Sequence, residues 1–353
     1  MQQFPVRSAQ DLSYEEFFQE FMVKNVPCLI TDLIQDWPAT EKMVKNDYIN
    51  IDYFENLASV QVPVADCSAK YFNSQEKCEM SLKDYVSYWK SSDKSKNLYL
   101  KDWHFFKDFP QENIFQLPQY FKSDWLNEFW ENKDSDYKFV YLGPKNSWTP
   151  FHSDVFGSFS WSANICGIKK WIFVPQGKEP KNQMYQLNLP QSDLTDFKLK
   201  NYHNLQYFEF QQGPKEVIFV PSGWYHQVEN LTDTLSINHN WFNATNIQFV
   251  WEQLYSEMIK VQKEMQDCFE KNNEEWKEMC QNLLLASHGM NFTTFIQLLD
   301  LISSKRMKIH SDKFVKFDLE QIKKVTNSIL DSVSEDLLQS DHEKILEIIK
   351  RIN

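Results

Sequence analysis

The region between residues 139 and 241 consists of short apolar segments, rich in β-branched and aromatic residues, that are separated by glycine and proline corners. The segments are residues 139–142, 159–165, 171–174, 217–220 and 234–241. The corners are Gly143-Pro144, Gly177, Gly213-Pro214 and Pro221-Ser222-Gly223. Because the segments are short and each corner ends a strand, this spacing predicts a β-sandwich or barrel of the jelly-roll kind.

The part of the chain before this region alternates between short predicted strands and helices. A helix is expected after Ser13, which has the side chain of an N-cap residue, and a polar loop is expected at 70–79. Residues 176–212 predict a second, longer loop, because they are polar and show little periodicity.

The end of the chain has a different pattern. Beyond residue 246 proline is absent, and Leu, Ile and Met recur at helical spacing, which predicts three or four helices. The predicted fold class is therefore mainly β with α. One domain is expected over residues 1–245, with N-terminal α/β elements before a β core at 139–245, and a helical region over 246–353.

Composition and charge restrict the class of protein. Apolar residues make up 42% of the chain and aromatic residues 16%, which excludes general disorder. The formal net charge of −12 is unsuited to non-specific binding of nucleic acid or of an anionic membrane, and no apolar run is long enough to span a bilayer. The six cysteines are scattered singly, and the first residues lack the apolar core of a secretion signal. Reduced thiols in the cytosol are expected, and the nucleus is compatible with the same pattern.

His152 and Asp154 are the residues that first suggest metal chemistry. Residues two apart on an extended strand project to the same side. An imidazole beside a carboxylate supplies two ligands of the 2-His-1-carboxylate triad of non-haem iron oxygenases. However, 8 histidines and 49 acidic residues in 353 give about one such pair by chance, and His310 with Asp312 forms a second pair.

Context separates the two pairs. His310 lies in a polar joint between predicted helices, where Ser311 or Asp312 suits an N-cap. His152 instead enters the strand-rich region, and His226 follows a Pro/Gly corner and is the best candidate for a third ligand. A half-buried histidine that is hydrogen-bonded near a turn is the alternative for His226. Three protein ligands would leave an octahedral ion open for a bidentate 2-oxoacid and dioxygen, whereas a structural zinc site is closed.

Three blocks of the sequence carry a resemblance to a known family. They are the motif at 149–154 that contains Thr149, His152 and Asp154, the segment 167–175 with Lys169, and the segment 213–226 that ends in His226. In order and spacing they resemble JmjC-domain 2-oxoglutarate oxygenases, over roughly residues 10–245. The resemblance implies a double-stranded β-helix, a jelly-roll or cupin-like barrel.

The resemblance also implies roles for individual residues. His152, Asp154 and His226 would bind Fe(II), and Lys169 would pair with the distal carboxylate of 2-oxoglutarate. Thr149 and Tyr99 match residues that assist this carboxylate. Asn238 or Asn240 could contribute an amide, and the sequence does not choose between them.

The implied reaction uses O2 to convert 2-oxoglutarate to succinate and CO2 while a substrate C–H bond is hydroxylated. The branch of the family that the chain resembles hydroxylates a lysine of a translation release factor, so a lysine-bearing protein substrate is expected. The C-terminal helices resemble those that related hydroxylases use to form homodimers or to dock their substrate, and simple packing against the β domain is the alternative. A histone lysine demethylase and a catalytically silent binding scaffold are the other functions compatible with this resemblance.

Overall fold

The strands of the chain form two large sheets in a computed structural model. The structure describes residues 4–71, 74–92, 95–133, 135–178, 205–265, 274–309, 312–333 and 335–353. The strands are β1 Val6–Ser8, β2 Cys28–Thr31, β3 Val44–Lys45, β4 Tyr48–Ile49, β5 Gln61–Tyr71, β6 Ser74–Ser81, β7 Leu98–Trp103, β8 Lys138–Gly143, β9 Trp148–His152, β10 Phe159–Cys166, β11 Lys169–Val174, β12 Phe208–Gln212, β13 Glu216–Val220, β14 Tyr225–Asn230 and β15 Thr234–Trp241.

The helices fall into short N-terminal pieces and long C-terminal ones. They are α1 Tyr14–Phe17, α2 Pro38–Lys42, α3 Ile51–Glu55, α4 Leu82–Lys90, α5 Phe105–Asp108, α6 Trp125–Trp130, α7 Ile247–Met265, α8 Glu274–His288, α9 Phe292–Arg306, α10 Lys313–Val333 and α11 Gln339–Ile352. Single helical turns lie at Phe18–Val23, Gln119–Phe121, Glu131–Lys133 and Val155–Gly157. Ser13 caps α1 with a capping box, as its sequence predicts.

Sheet topology confirms the predicted jelly-roll character. The larger sheet has the strand order β1-β2-β13-β10-β15-β8-β7-β5-β6, and the smaller has the order β12-β11-β14-β9. The four-stranded sheet is antiparallel throughout, and its register places His226 of β14 opposite His152 of β9. Buried aromatic and branched side chains such as Trp171, Phe173 and Ile218 form part of the core.

Two predicted loops were wrong in part. Residues 74–81 form β6, which pairs with β5 along most of its length although its side chains are largely polar. Residues 208–212 form β12 at the edge of the smaller sheet, where Phe208 and Phe210 pack against the core and Glu209 is exposed. The remainder of the predicted loop at 176–212 lies largely outside the described residues.

The chain divides into two compact units. One contains residues 1–122, 136–154 and 159–240, and the other contains 123–135, 155–158 and 241–353. The domain boundary predicted near residue 245 remains a proposal.

The second unit is a helical assembly in which α9 contacts α6, α10 and α11. Five helices lie beyond residue 246 in the part described, instead of three or four. Phe292, Phe295 and Leu299 of α9 are fully buried, so this helix lies at the centre of the unit. The carboxylate of Asp312 accepts hydrogen bonds from the backbone at the start of α10, which is the capping role predicted for it. His310 lies outside the described residues.

Five cysteines lie in the described part of the chain, and all are free thiols. Cys268 is outside that part. Within the same ranges, no helix combines the length and the apolar character that crossing a membrane requires.

Candidate active site

His152, Asp154 and His226 form one cluster at the end of β9 and the start of β14. Each offers one ligand atom, and these atoms all lie within 4.8 Å of one another. The two imidazole rings are 4.3 Å apart between centroids. Among the histidine, cysteine, aspartate and glutamate residues that the structure describes, these three are the ones placed closely enough together to hold a metal ion.

The corner before β14 is held in place by Asn25, which comes from the loop before β2. The Asn25 side chain donates to the carbonyl of Ser222 and accepts from its amide, and the indole of Trp224 donates to the Asn25 carbonyl. Gly223 has a φ of +71°, a conformation that favours glycine. These contacts fix where β14 begins and therefore where His226 lies.

Hydrogen bonds to the backbone define the tautomer of both histidines. Nδ1 of His152 is 2.7 Å from the carbonyl oxygen of Pro150, and Nδ1 of His226 is 3.1 Å from that of Trp224. Because a carbonyl only accepts, each Nδ1 carries a proton, which leaves Nε2 as the atom that can offer a lone pair to a metal. Burial and the neighbouring His226 lower the pKa of His152 to about 4, so its ring is neutral at physiological pH.

The carboxylate of Asp154 is also oriented by a neighbour. The hydroxyl of Ser160 in β10 donates to Oδ2 of Asp154 over 2.7 Å, which leaves Oδ1 available to bind a metal ion. Two Nε2 atoms and one carboxylate oxygen make a donor set that suits Fe(II). The residues present therefore fit the metal that this motif implies.

Lys169 in β11 brings a buried cation to the same cavity. Lys169 is only 2% exposed, and its ammonium donates to the hydroxyl of Ser236 over 2.6 Å. No carboxylate of the described residues lies within ion-pair distance of it, and burial lowers the pKa of Lys169 to about 7. A buried ammonium without a counterion is costly, so a bound carboxylate would stabilise its charged form.

Tyr99, Thr149 and the two asparagines line the same cavity as Lys169. The Tyr99 phenol faces the side chains of Asn230 and Thr149, and burial raises its pKa far above the ordinary value, so it remains a hydrogen-bond donor. Asn238 donates to the Ser236 hydroxyl over 3.1 Å and so joins the group around Lys169. All eight residues predicted from the sequence line a single cavity: Tyr99, Thr149, His152, Asp154, Lys169, His226, Asn238 and Asn240.

Several cavity residues escaped the sequence analysis. Tyr141, Ser160 and Ser162 line the cavity, and Ser236 lies beside it, where its hydroxyl accepts a hydrogen bond from Lys169. Strand alternation could have pointed to the serines, because residues two apart on a strand face the same side. Ser236 precedes Asn238 by two residues, and Ser160 and Ser162 lie on either side of Trp161. A lone serine has too many other roles for that signal to single it out.

Comparison with known proteins shows the family to which the chain belongs. A family model described as "Cupin-like domain" matches residues 14–247. The chain is 40% identical to "2-oxoglutarate and iron-dependent oxygenase JMJD4 homolog" of Drosophila melanogaster, over 92% of this chain and 87% of that protein. The present chain belongs to the cupin-like JmjC oxygenases. JMJD4 of Homo sapiens is 40% identical over 84% of this chain and 75% of its own length. "Arginine-specific demethylase JMJ20" of Arabidopsis thaliana is 37% identical over 87% of this chain and 72% of its own.

The family confirms the predicted cofactors. This JmjC protein is an oxygenase that depends on iron and 2-oxoglutarate, with O2 as the second cosubstrate. Bound iron supplies the activation of dioxygen that couples decarboxylation of 2-oxoglutarate to oxidation of a C–H bond. The chain contributes the positions of the ligands, and the rings of Trp171 and Phe173 pack against that of His226, with centroids 5.7 and 5.5 Å away.

Proposed function

We propose that this oxygenase is a protein hydroxylase that acts on a lysine side chain of a translation release factor, and that it releases succinate and CO2. The observation that carries the oxygenase chemistry is the buried ammonium of Lys169 in one cavity with His152, Asp154 and His226. The substrate class is supported by the resemblance of the sequence blocks, and the net charge of −12 suits a basic partner.

The proposal assigns a role to each residue of the cavity. His152, Asp154 and His226 bind Fe(II) through two Nε2 atoms and one carboxylate oxygen. Lys169 pairs with the distal carboxylate of 2-oxoglutarate, and the hydroxyls of Thr149 and Tyr99 donate to it. Of the two asparagines, Asn238 is the one that assists, because it shares the Ser236 hydroxyl with Lys169.

Mass spectrometry tests the substrate directly. Purified release factor is incubated with the protein, Fe(II), 2-oxoglutarate and O2, and its peptides are then analysed. We expect one oxygen to be added to one lysine, with an equal amount of succinate formed. If succinate forms with other proteins but the release factor is unchanged, the oxygenase is confirmed and the proposed substrate is wrong.

Demethylation is the second candidate, because a relative at 37% identity is named as an arginine-specific demethylase. Hydroxylation of an N-methyl group loses the methyl as formaldehyde, whereas hydroxylation of a side-chain carbon retains the oxygen. Methylated arginine and lysine peptides of histones, offered under the same conditions, distinguish the two. Loss of a methyl group from them, with no oxygen added to the release factor, would favour the demethylase.

The proposal includes a homodimer formed through the C-terminal helices. Met279 and Leu283 lie four residues apart on α8, and both are exposed, so they share one apolar face. Light scattering after gel filtration is expected to give the mass of a dimer, and Leu283→Lys is expected to give that of a monomer.

A further inference from the structure

A second cavity lies in the unit that contains residues 1–122, 136–154 and 159–240. It shares no lining residue with the cavity that contains His152. Its volume is about 610 Å³, within the range of pockets that bind ligands. Its walls are the β3–β4 hairpin, α4, and the turns that follow β10, precede β13 and precede β15. None of these walls supplies His152, Asp154 or His226. The oxygenase reaction therefore assigns no role to this cavity.

The β3–β4 hairpin, which forms one wall of this cavity, has a tight two-residue turn that is bonded to β10. Asn46 and Asp47 both have positive φ, 52° and 64°, which is the conformation of the two central residues of a type I′ turn. The thiol of Cys166 donates to the backbone carbonyl of Asp47 over 3.4 Å and ties the tip of the hairpin to β10. Asp47 and Tyr48 are therefore held beside the cavity in a fixed position.

The opposite wall is formed by turns that are bonded to one another. The amide of Ile168 donates to the Thr232 hydroxyl over 2.9 Å, and the amide of Lys215 donates to the carbonyl of Asn164 over 2.6 Å. Gly167 between them has a φ of +85°, and a Cβ there would lie 2.0 Å from the carbonyl oxygen of Asp233. The cavity is thus preformed, which lowers the entropic cost of binding.

The lining combines an apolar floor with an acidic and aromatic rim. Ile165 and Ile168 contribute to the floor, and Trp89 and Tyr48 are the aromatic residues. Tyr48 is 77% exposed, and its ring contacts no other ring in the described part of the chain. An exposed ring beside a cavity is available to stack on an apolar group or a cation.

Asp47 and Asp233 are the two acidic residues that line the cavity. The Asp233 carboxylate accepts a hydrogen bond from the amide of Lys145 over 2.8 Å. Burial raises the pKa of the Cys166 thiol to about 11, and both carboxylates add to this shift. Lys215 is the one cation among the lining residues, which leaves the rim negative. Within the described ranges the Asp47 carboxylate has no hydrogen-bond or ion-pair partner.

We propose that this cavity is a docking site for a segment of the protein substrate in which an apolar side chain is flanked by lysine or arginine. The apolar side chain packs on Ile165 and Ile168, and the cations pair with Asp47 and Asp233 or stack on the exposed ring of Tyr48. The proposal rests on the proposed function in one respect, because it takes the occupant to be part of the hydroxylated protein.

Direct binding tests the site without any reaction. The probe is a short blocked Gly/Ser peptide with one leucine between two arginines, titrated into the full-length protein by calorimetry. We expect the double variant Asp47→Lys/Asp233→Lys to weaken binding about tenfold or more, since two exposed ion pairs become repulsive. The control variant Asp36→Lys/Glu79→Lys changes the net charge equally at exposed positions outside the cavity, and is expected to bind as the wild type does.

Matched peptides separate the apolar and the charged contributions. Replacing both arginines with glutamate, or the leucine with serine, is expected to abolish measurable binding. Equal binding by the arginine and glutamate peptides, or equal weakening in both double variants, would overturn the docking site. Binding of neutral aromatic compounds with no peptide binding would show a small-molecule site and would overturn it as well.

Kinetics then connect the site to catalysis. With the intact release factor as substrate, the Asp47/Asp233 double variant is expected to raise KM about tenfold with kcat unchanged. A short peptide that carries only the target lysine is expected to react equally with variant and wild type. If the peptide probe binds at the cavity but the release factor is not hydroxylated, the proposed substrate fails and the docking site stands. If the release factor is hydroxylated and KM does not change, the docking site fails alone.

Discussion

His152 and His226 reach one point from neighbouring strands because each ring is fixed in the same way. In both, Nδ1 donates to the carbonyl of the residue two positions earlier, Pro150 or Trp224. The bond selects the tautomer and directs Nε2 toward Asp154. At the residue scale, the site is therefore organised before any metal binds.

Replacing His226 with alanine is expected to weaken metal binding at this site strongly. Two ligands remain, and the affinity for Fe(II), or for Mn(II) as a stable substitute, should fall by more than about 100-fold. Calorimetry of metal binding measures this independently of activity. His342→Ala, at a position outside the cavity, is the control and should bind metal as the wild type does; unchanged affinity in the His226 variant would remove that residue from the ligand set.

Lys169→Met is expected to raise the KM for 2-oxoglutarate by about 10- to 100-fold, because a charge-assisted contact to a carboxylate is lost. Succinate production at varied 2-oxoglutarate measures the effect. Lys170→Met is the matched control, since the neighbouring side chain pairs with Glu209 instead of facing the cavity. Equal KM values for the two variants would contradict the assignment of the distal carboxylate to Lys169.

At the scale of single elements, β15 carries residues of opposite character on its two faces. Asn238 and Asn240 line the cavity, whereas His239 lies among the rings of Phe115 and Trp161, whose centroids are 5.2 and 4.2 Å away. In the described part of the chain neither ring nitrogen of His239 has a hydrogen-bond partner. Burial, with a smaller effect of Lys138, lowers the pKa of His239 well below 6.5, so the folded protein holds it neutral.

This neutral histidine makes stability depend on pH. Below pH 6.5 the unfolded chain binds a proton at His239 that the folded protein does not, so the free energy of unfolding falls as pH decreases, by up to about 1.4 kcal/mol per pH unit. His239→Leu is expected to reduce this slope, as measured by urea unfolding at several pH values between neutral and acidic. An identical slope in the variant would mean that His239 titrates normally in the folded state.

The turn between β10 and β11 depends on Gly167. Gly167→Ala adds the strain of a positive φ and a clash with the carbonyl of Asp233, whereas Gly177→Ala has the same φ strain but meets open space. We expect Gly167→Ala to lower the free energy of unfolding by at least about 2 kcal/mol more than Gly177→Ala does. Denaturant titration measures both variants, and equal losses would show that the turn can shift to avoid the clash.

At the scale of the whole molecule, the helical unit gathers segments that are distant in sequence. Arg306 at the end of α9 is 11% exposed at its side chain and bonds both Glu128 of α6 and Asp318 of α10, over 2.9 and 2.8 Å. One guanidinium thus links three helices from two parts of the chain. Burial raises the pKa of Asp318 to about 6, although Arg306 opposes this shift.

Arg306→Met is expected to destabilise the protein by about 3–5 kcal/mol, since it leaves the buried carboxylate of Asp318 without its cation, whereas the partly exposed Glu128 keeps Lys305. The control is Lys305→Met, whose more exposed ion pair with Glu128 spans 3.4 Å and should contribute about 1 kcal/mol or less. Thermal and chemical unfolding measure both. Because protonation neutralises Asp318, the loss in Arg306→Met should be smaller at pH 5 than at pH 7.5; a loss that does not change with pH would contradict this account.

The sequence by itself determined the β class of the fold and eight of the residues that line the cavity. Strand alternation and Gly/Pro corners are local, so the positions of β8, β10, β11, β13 and β15 could be predicted. The eight cavity residues could be named because their motifs occur in a fixed order. The tertiary structure alone decided that polar residues 74–81 form β6 and that 208–212 form β12, because pairing with a neighbouring strand outweighs their weak local preference. It also decided the contact of Ser236 with Lys169 and the walls of the second cavity, since these bring together residues far apart in the chain whose spacing no local pattern encodes.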